Sequence, residues 1–367
     1  MKILFYCLNG TGIGHLTRTL SLVESLKKTL PKSKIEVLTN GVFDPGFQKL
    51  GVPFHSTKYS NIDIHKNPLL ESKVNKELFE RINSFRPNII FFDNKIPPFA
   101  NKVNSFKVLV LRSLKEENMI KTLDKFSSLM DLFIVPHDIS ELEEQYSKTL
   151  IHKLKTNHKI LVLGPIIKKK YSPKSLKKIK KCIVSFGGGG PHAAFNKGEF
   201  FGDVEHYAQV FLNFFINNKF DFPIDLILGP NFDSKLFSKL VSKAKSNKSI
   251  KILRLSDNYF SDLSSSIIFS LTGYNSVNEL LYLQVPAIFF SKRGVSESQL
   301  NRGKWIQKKN LGLFISEVNE KTISRSILKL LSQRQKINSN LKKLNIQPKN
   351  DLIIKKVIKN YDKHFFS

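Results

Sequence analysis

Apolar residues fall in short unbroken runs along this chain, and most runs end in a glycine-rich or polar turn. Ile3 to Leu8 is the first. It lacks polar alternation, which marks a strand buried on both faces, as in a parallel sheet. Asn9-Gly10-Thr11-Gly12-Ile13-Gly14 follows and cannot be helix interior. Leu16, Leu20, Val23, Leu26 and Leu30 then recur at helical spacing until Pro31 stops the helix. Ile35 to Leu38 is the next strand, so the chain opens with a βαβ unit.

Further apolar runs at Ile89–Phe92, Val108–Leu111, Leu132–Val135 and Lys159–Leu163 extend the same sheet, and Gly164-Pro165 closes this half. Residues 166–180 are charged, contain Pro173 and read as a linker. A second α/β series begins at the strand Cys182–Phe186, followed by the loop Gly187–Gly190 and a helix over roughly Val204 to Phe215. Strands at Ile224–Leu228, Ile252–Leu255, Ile267–Leu271 and Ala287–Phe290 complete it. The expected organisation is therefore an N-terminal α/β domain over 1–165, the linker, a second α/β domain over 181–335, and a helical segment over 336–367 that packs back on the first domain. Open parallel sheets bind ligands at the C-terminal ends of their strands, and two such edges are expected to face each other across a cleft.

Charge alters this picture only at the surface. Of 367 residues, 59 are Lys or Arg and 30 are Asp or Glu, a net charge of +29. An anionic partner, such as a membrane face, is one reading. A lysine-rich composition scattered along the whole chain is the other. Neither aromatic–basic interleaving nor an RNA-module signature occurs, so no nucleic-acid role is expected. Cys7 and Cys182 each sit inside a buried strand, which fits a reducing cytoplasm and no disulfide. No CxxC or HExxH spacing suggests a metal, and no apolar run reaches spanning length.

Four segments carry chemistry. Gly10-Thr11-Gly12-Ile13-Gly14-His15 lets backbone approach a ligand at a helix start, where free N–H groups and the helix dipole favour an anion. Its spacing is not GxGxxG, and Thr39-Asn40 stand where a dinucleotide fold places its acid, so NAD is disfavoured. A tight turn without ligand is the alternative. His15 is either a general base or a cap. The second segment is Ser185-Phe186-Gly187-Gly188-Gly189-Gly190, which either wraps a diphosphate or is merely flexible. No Gly-Lys-Ser/Thr follows, so it is not a Walker loop. In the third, Thr272-Gly273-Tyr274-Asn275-Ser276-Val277-Asn278-Glu279, Asn275 or Ser276 is expected to cap a helix. Glu279, a turn inside, suits a ribose diol or is simply exposed. In the fourth, Glu297, Gln299 and Asn301 suit sugar hydroxyls and Arg302 a phosphate, or the whole is a solvated helix face.

Taken together, these segments resemble the GT-B glycosyltransferases, and in particular the branch containing the peptidoglycan N-acetylglucosaminyl transferase. The motifs Gly12-Ile13-Gly14-His15-Leu16-Thr17-Arg18-Thr19-Leu20, Phe85-Arg86-Pro87-Asn88 through Asp93, and Val108 to Arg112 are similar to a bacterial group of predicted glycosyltransferases. So is the stretch from Gly273 through Glu279 and Pro286-Ala287 to Glu297–Arg302. The resemblance implies two Rossmann-like domains and a nucleotide-sugar donor, UDP-linked by expectation, with no cofactor and no metal. It implies that the first loop, with Gly12 and Gly14, faces the acceptor and donor phosphates. Gly187, Gly188, Gly189 and the turn Gly273, Tyr274, Asn275, Ser276 would hold the diphosphate. Glu279 would hold the ribose, and Glu297 and Gln299 the transferred sugar. For the base, His15 and Asp93 are both candidates, singly or as a dyad; Asp93 as a cap for the following loop is the alternative.

The sugar motif is less Gln-rich than in the peptidoglycan enzyme, so the resemblance leaves the sugar open between a hexose and an N-acetylhexosamine. The acceptor is left open too, with a lipid or envelope-linked one suggested by the related enzyme. A sugar-nucleotide epimerase or hydrolase on the same fold is the alternative activity. Lys58-Tyr59, Lys66, Lys76, Phe79, Arg81, Lys102, Phe106 and Lys107 are expected to form a peripheral contact with an anionic membrane, at its cytoplasmic face.

Overall fold

The computed structural model describes residues 1–8, 14–40, 46–57, 68–93, 95–169, 171–173, 175–189, 192–193, 200–201, 203–256, 258–292 and 299–366. They form two compact units, Met1–Lys168 with Gln347–Ser367, and Lys169–Ile346.

The first stretch of chain carries strands β1 (Lys2–Cys7), β2 (Lys34–Asn40), β3 (Phe54–Thr57), β4 (Ile89–Asp93), β5 (Phe106–Val110), β6 (Leu132–Val135) and β7 (Ile160–Val162). Its helices are α1 (Gly14–Thr29), α2 (Pro68–Phe85), α3 (Glu116–Phe126), α4 (Ile139–Gln145) and α5 (Lys148–Thr156). The second stretch carries β8 (Lys181–Ser185), the ribbon β9 (His192–Ala193) and β10 (Phe200–Phe201), β11 (Ile224–Ile227), β12 (Ile250–Leu253), β13 (Ser266–Leu271), β14 (Ile288–Phe290) and β15 (Leu313–Ile315). Its helices are α6 (Asp203–Asn217), α7 (Ser234–Ala244), the short α8 (Tyr259–Asp262), α9 (Tyr274–Tyr282), α10 (Gln299–Lys308) and α11 (Glu320–Leu344). A last helix, α12 (Asn350–Phe366), belongs to the first unit.

The first unit is a seven-stranded sheet in the order β3-β2-β1-β4-β5-β6-β7, parallel throughout. Its β1 explains the unbroken apolar run. Ile3, Phe5 and Cys7 join a core with Leu16, Leu20, Val23 and Leu26 of α1, while Leu4, Tyr6 and Leu8 join a second core with Val74, Leu78 and Ile82 of α2. Both faces of the sheet are therefore covered, as two-sided burial demands. The second unit repeats the plan with six parallel strands in the order β12-β11-β8-β13-β14-β15.

The edge strands β3 and β15 are too short to stand out as apolar runs; pairing with β2 and β14 makes them strands. The position expected to start the helical tail, residue 336, falls inside α11, which continues to Leu344. Ile337 and Leu341 are buried, and Asn338 donates to the Gln284 carbonyl at 2.7 Å, so this stretch belongs to the second unit. Asn345, at φ 47°, ends the helix. Asn350 then seats α12 in the first unit. Its side chain accepts from the Ile167 N–H at 3.0 Å and donates to the Ile167 carbonyl at 2.8 Å. Ile353, Ile354 and Val357 fill the core beside α1. Ile166 and Ile167, assigned to the linker from sequence, are buried in this unit.

Among the described residues no helix is long and apolar enough to cross a membrane. Among the described residues, the aromatics of the basic–aromatic group expected to meet a membrane do not face the surface. Phe106 is buried in β5, Phe79 packs on the core, and Arg81 pairs with Glu36 at 3.0 Å. The aromatics serve the sheet because their positions point inward. Lys76 and Lys102 are exposed, and Lys58, Tyr59 and Lys66 lie outside the described residues.

Candidate functional site

Each sheet has one place where the strand order reverses, and crossovers there leave on opposite faces, opening a crevice at the C-terminal strand ends. In the first unit this place lies between β1 and β4, in the second between β8 and β13. The first glycine loop follows β1 and leads to His15, and Asp93 ends β4. The second glycine loop follows β8, and the Gly273 turn follows β13. Three of the four motifs thus sit at the two switch points.

In the first unit His15, on the opening turn of α1, meets Asp93: its Nδ1 lies 2.9 Å from Asp93 Oδ1. Arg18, one helical turn later on the same face, donates from Nε to Asp93 Oδ2 at 3.1 Å and from Nη2 to Oδ1. Thr19 Oγ1 stands 3.5 Å from Oδ2. Asp93 and Arg18 are each 4 % exposed. Burial by itself raises the Asp93 carboxyl, but Arg18 and then His15 outweigh it and hold the group well below the ordinary carboxylate range. An ionised Asp93 accepts a hydrogen bond from the Nδ1–H of His15, which leaves the Nε2 lone pair as the basic atom. Asp93 is buried and committed to three side chains. Gly14 opens α1 and is exposed; Gly12 lies outside the described residues. Cys7, at the end of β1, is buried and its thiol is pushed up to about 12, so it is inert.

In the second unit Gly187 and Gly189 have φ of 61° and 72°. They differ in what surrounds them. A Cβ on Gly189 would lie 1.9 Å from the Leu228 carbonyl oxygen, whereas one on Gly187 would meet nothing within 4 Å. Gly188 accepts from the Asn231 N–H at 3.0 Å. The loop is therefore folded tightly against residues 228–231 on one side and open at Gly187.

The third motif starts α9 differently from expectation. Gly273, not Asn275 or Ser276, is the N-cap, and no side chain caps the helix. Asn275 and Ser276 are half-buried within its first turn, and Tyr274 is buried. Gly273 has φ −66° and ψ 149°, open to any residue, and a Cβ there would meet nothing within 4 Å. Neither backbone strain nor packing demands a glycine, so the space beside the helix start is what glycine preserves. Glu279 is half-buried one turn further in. Tyr259, on α8, adds a residue that sequence reasoning missed. Burial and then the Glu279 carboxylate raise its phenol, opposed by a hydrogen bond with Ser185. Tyr259 is thus near enough to Glu279 for the carboxylate to act on its phenol, a proximity that only the fold creates.

Of the fourth motif, Glu297 lies outside the described residues. Gln299 begins α10, is 9 % exposed, and its Oε1 has no hydrogen-bond partner among the described residues. Arg302, expected near a phosphate or on a solvated helix face, is fully buried and donates to the Thr272 carbonyl at 2.9 Å.

Residues 214–356 match the family model described as Glycosyltransferase family 28 C-terminal domain. A search of curated proteins found no match. Among solved structures, the chain is similar over 100 % of its length to 99 % of CalG4, the calicheamicin glycosyltransferase, at 14 % identity and a TM-score of 0.63. It is similar over 98 % of its length to 99 % of Acinetobacter baumannii MurG, at 13 % identity and a TM-score of 0.57. It is also similar over 100 % of its length to 96 % of a putative UDP-N-acetylglucosamine 2-epimerase from Listeria monocytogenes, at 13 % identity and a TM-score of 0.62. The chain has the GT-B fold of glycosyltransferases, and the glycosyltransferase domain match covers most of its second unit and the start of α12.

Proposed function

We propose that the protein is a nucleotide-sugar-dependent glycosyltransferase that moves a hexose or N-acetylhexosamine from a UDP-sugar to an acceptor hydroxyl. The observation that carries this reading is a His–Asp–Arg cluster at one switch point and two glycine-bearing turns at the other. The family match over the second unit supports the donor half.

In this reading the open side of the Gly187–Gly189 loop and the N-terminus of α9 take the diphosphate, where the helix dipole favours negative charge. Glu279 accepts hydrogen bonds from the ribose diol. Gln299, with Glu297, contacts the sugar. His15 Nε2 removes the proton of the acceptor hydroxyl as its oxygen bonds to the anomeric carbon. The bond from that carbon to the β-phosphate oxygen breaks, and UDP leaves with the electron pair. Asp93 stabilises the resulting imidazolium and keeps the proton-accepting nitrogen outward. The lysine excess further suggests an acceptor presented at an anionic membrane.

Thermal-shift screening of nucleoside diphosphates tests the donor half. A ligand at 100 times its dissociation constant adds about 2.7 kcal/mol of stability. UDP is expected to stabilise the wild type, and Glu279→Ala to weaken UDP binding by about 1–3 kcal/mol. His15→Ala is expected to keep UDP binding and lose about 10²–10⁴-fold in transfer. Chemical change of a UDP-sugar incubated without acceptor would replace transfer by epimerisation or hydrolysis.

A further inference from the structure

We propose that Arg302 is a positioning residue that braces the turn at the start of α9 and so aims the Gly273 N–H away from the interior, strengthening its grip on a nucleoside diphosphate. This rests on the donor-site reading above. Arg302 is fully buried, so it acts through the turn and not by touching an occupant. Its Nη1 holds the Thr272 carbonyl at 2.9 Å, and its guanidinium carbon lies 5.9 Å from the centre of the Tyr274 ring. Thr272 and Tyr274 flank Gly273, so one side chain braces both neighbours of the cap.

The direction of that brace matters. The described residues contain no cis peptide bond. In a trans peptide the C=O and the following N–H point in opposite directions. Drawing the Thr272 oxygen to the buried Arg302 therefore turns the Gly273 N–H away from it. The brace is itself anchored: at Gly303 a Cβ would fall 2.4 Å from the Phe314 ring, so α10 sits hard against β15. Gln299 shares the helix face of Arg302 three residues earlier, and its Oε1 is buried without a partner among the described residues. The same short helix thus supports the turn and presents a polar atom beside it.

A neutral side chain of similar volume would pack as well, because burying a guanidinium costs several kcal/mol before its contacts are counted. What the guanidinium adds is a simultaneous hold on the Thr272 carbonyl and the Tyr274 ring, which a neutral apolar side chain cannot supply.

Isothermal titration of wild type, Arg302→Lys and Arg302→Met with UDP and uridine, and with TDP and thymidine, tests this. Arg302→Met is expected to lose about tenfold in nucleoside diphosphate affinity while the nucleoside changes by less than about twofold, with Arg302→Lys in between. Should Arg302→Met not fold, Arg302→Leu makes the same comparison. Equal losses for diphosphate and nucleoside, or unchanged diphosphate affinity in a folded neutral variant, would overturn the inference. Failure of the wild type to bind either diphosphate would overturn the donor-site reading itself.

Discussion

Asp93 shows how much one buried carboxylate can carry. Its partners Arg18 and His15 depress its pKa, so its stabilising contribution is complete above the unfolded carboxylate value of about 3.9 and is lost as pH falls below it. Asp93→Asn is expected to cost about 3–5 kcal/mol, because the buried Arg18 loses its carboxylate partner. The gap between wild type and variant in urea melts should close on acidification below about pH 4; a gap independent of pH would show that the pair is not ionic. The two strained glycines of the second loop separate structure from function in the same way. Gly189→Ala is expected to lose about 2–4 kcal/mol, since its Cβ would strike the Leu228 carbonyl. Gly187→Ala should lose only about 1–2 kcal/mol from its positive φ while weakening UDP binding. Equal stability losses, measured by chemical denaturation, would contradict the difference in their surroundings.

At the scale of elements, α12 is far in sequence from the unit it completes. Ile353, Ile354, Val357 and Tyr361 are buried against the sheet and α1. Full burial of one such aliphatic side chain is worth about 1.5–3 kcal/mol, and a domain has only about 5–15 kcal/mol in total. Ending the chain after residue 346 is therefore expected to unfold the first unit and leave the second folded. Limited proteolysis followed by mass spectrometry would show a protected fragment spanning Lys169–Ile346; uniform resistance of the truncated chain would contradict it.

The whole molecule carries +29, and only its surface distribution decides what that charge does. Each Lys near an anionic bilayer contributes about 1 kcal/mol, fading beyond a Debye length of about 8 Å in physiological salt. Co-sedimentation is expected with anionic vesicles, not with neutral ones, and to fall sharply in high salt. No binding to either would leave a soluble acceptor. The aromatics that seemed to flank those lysines belong to the core, since alternation within a strand and helical phase hide which side of a fold a residue meets until the sheet is assembled.

What the chain determined locally was legible. Two-sided burial writes itself as unbroken apolar runs, so most strands, the two α/β series and both glycine loops could be read in order, as could the His15–Asp93 pairing as one of the readings. Tertiary structure alone decided the rest. Pairing made strands of Phe54–Thr57 and Leu313–Ile315, which are too short for their own pattern to mark them. Strand order created the switch points. Packing turned Arg302 inward and brought Arg18 onto Asp93 across 75 residues of sequence, and it set Tyr259 beside Glu279. Backbone periodicity is a property of neighbours along the chain, whereas burial and partnership of a charge depend on which distant segments fold over it.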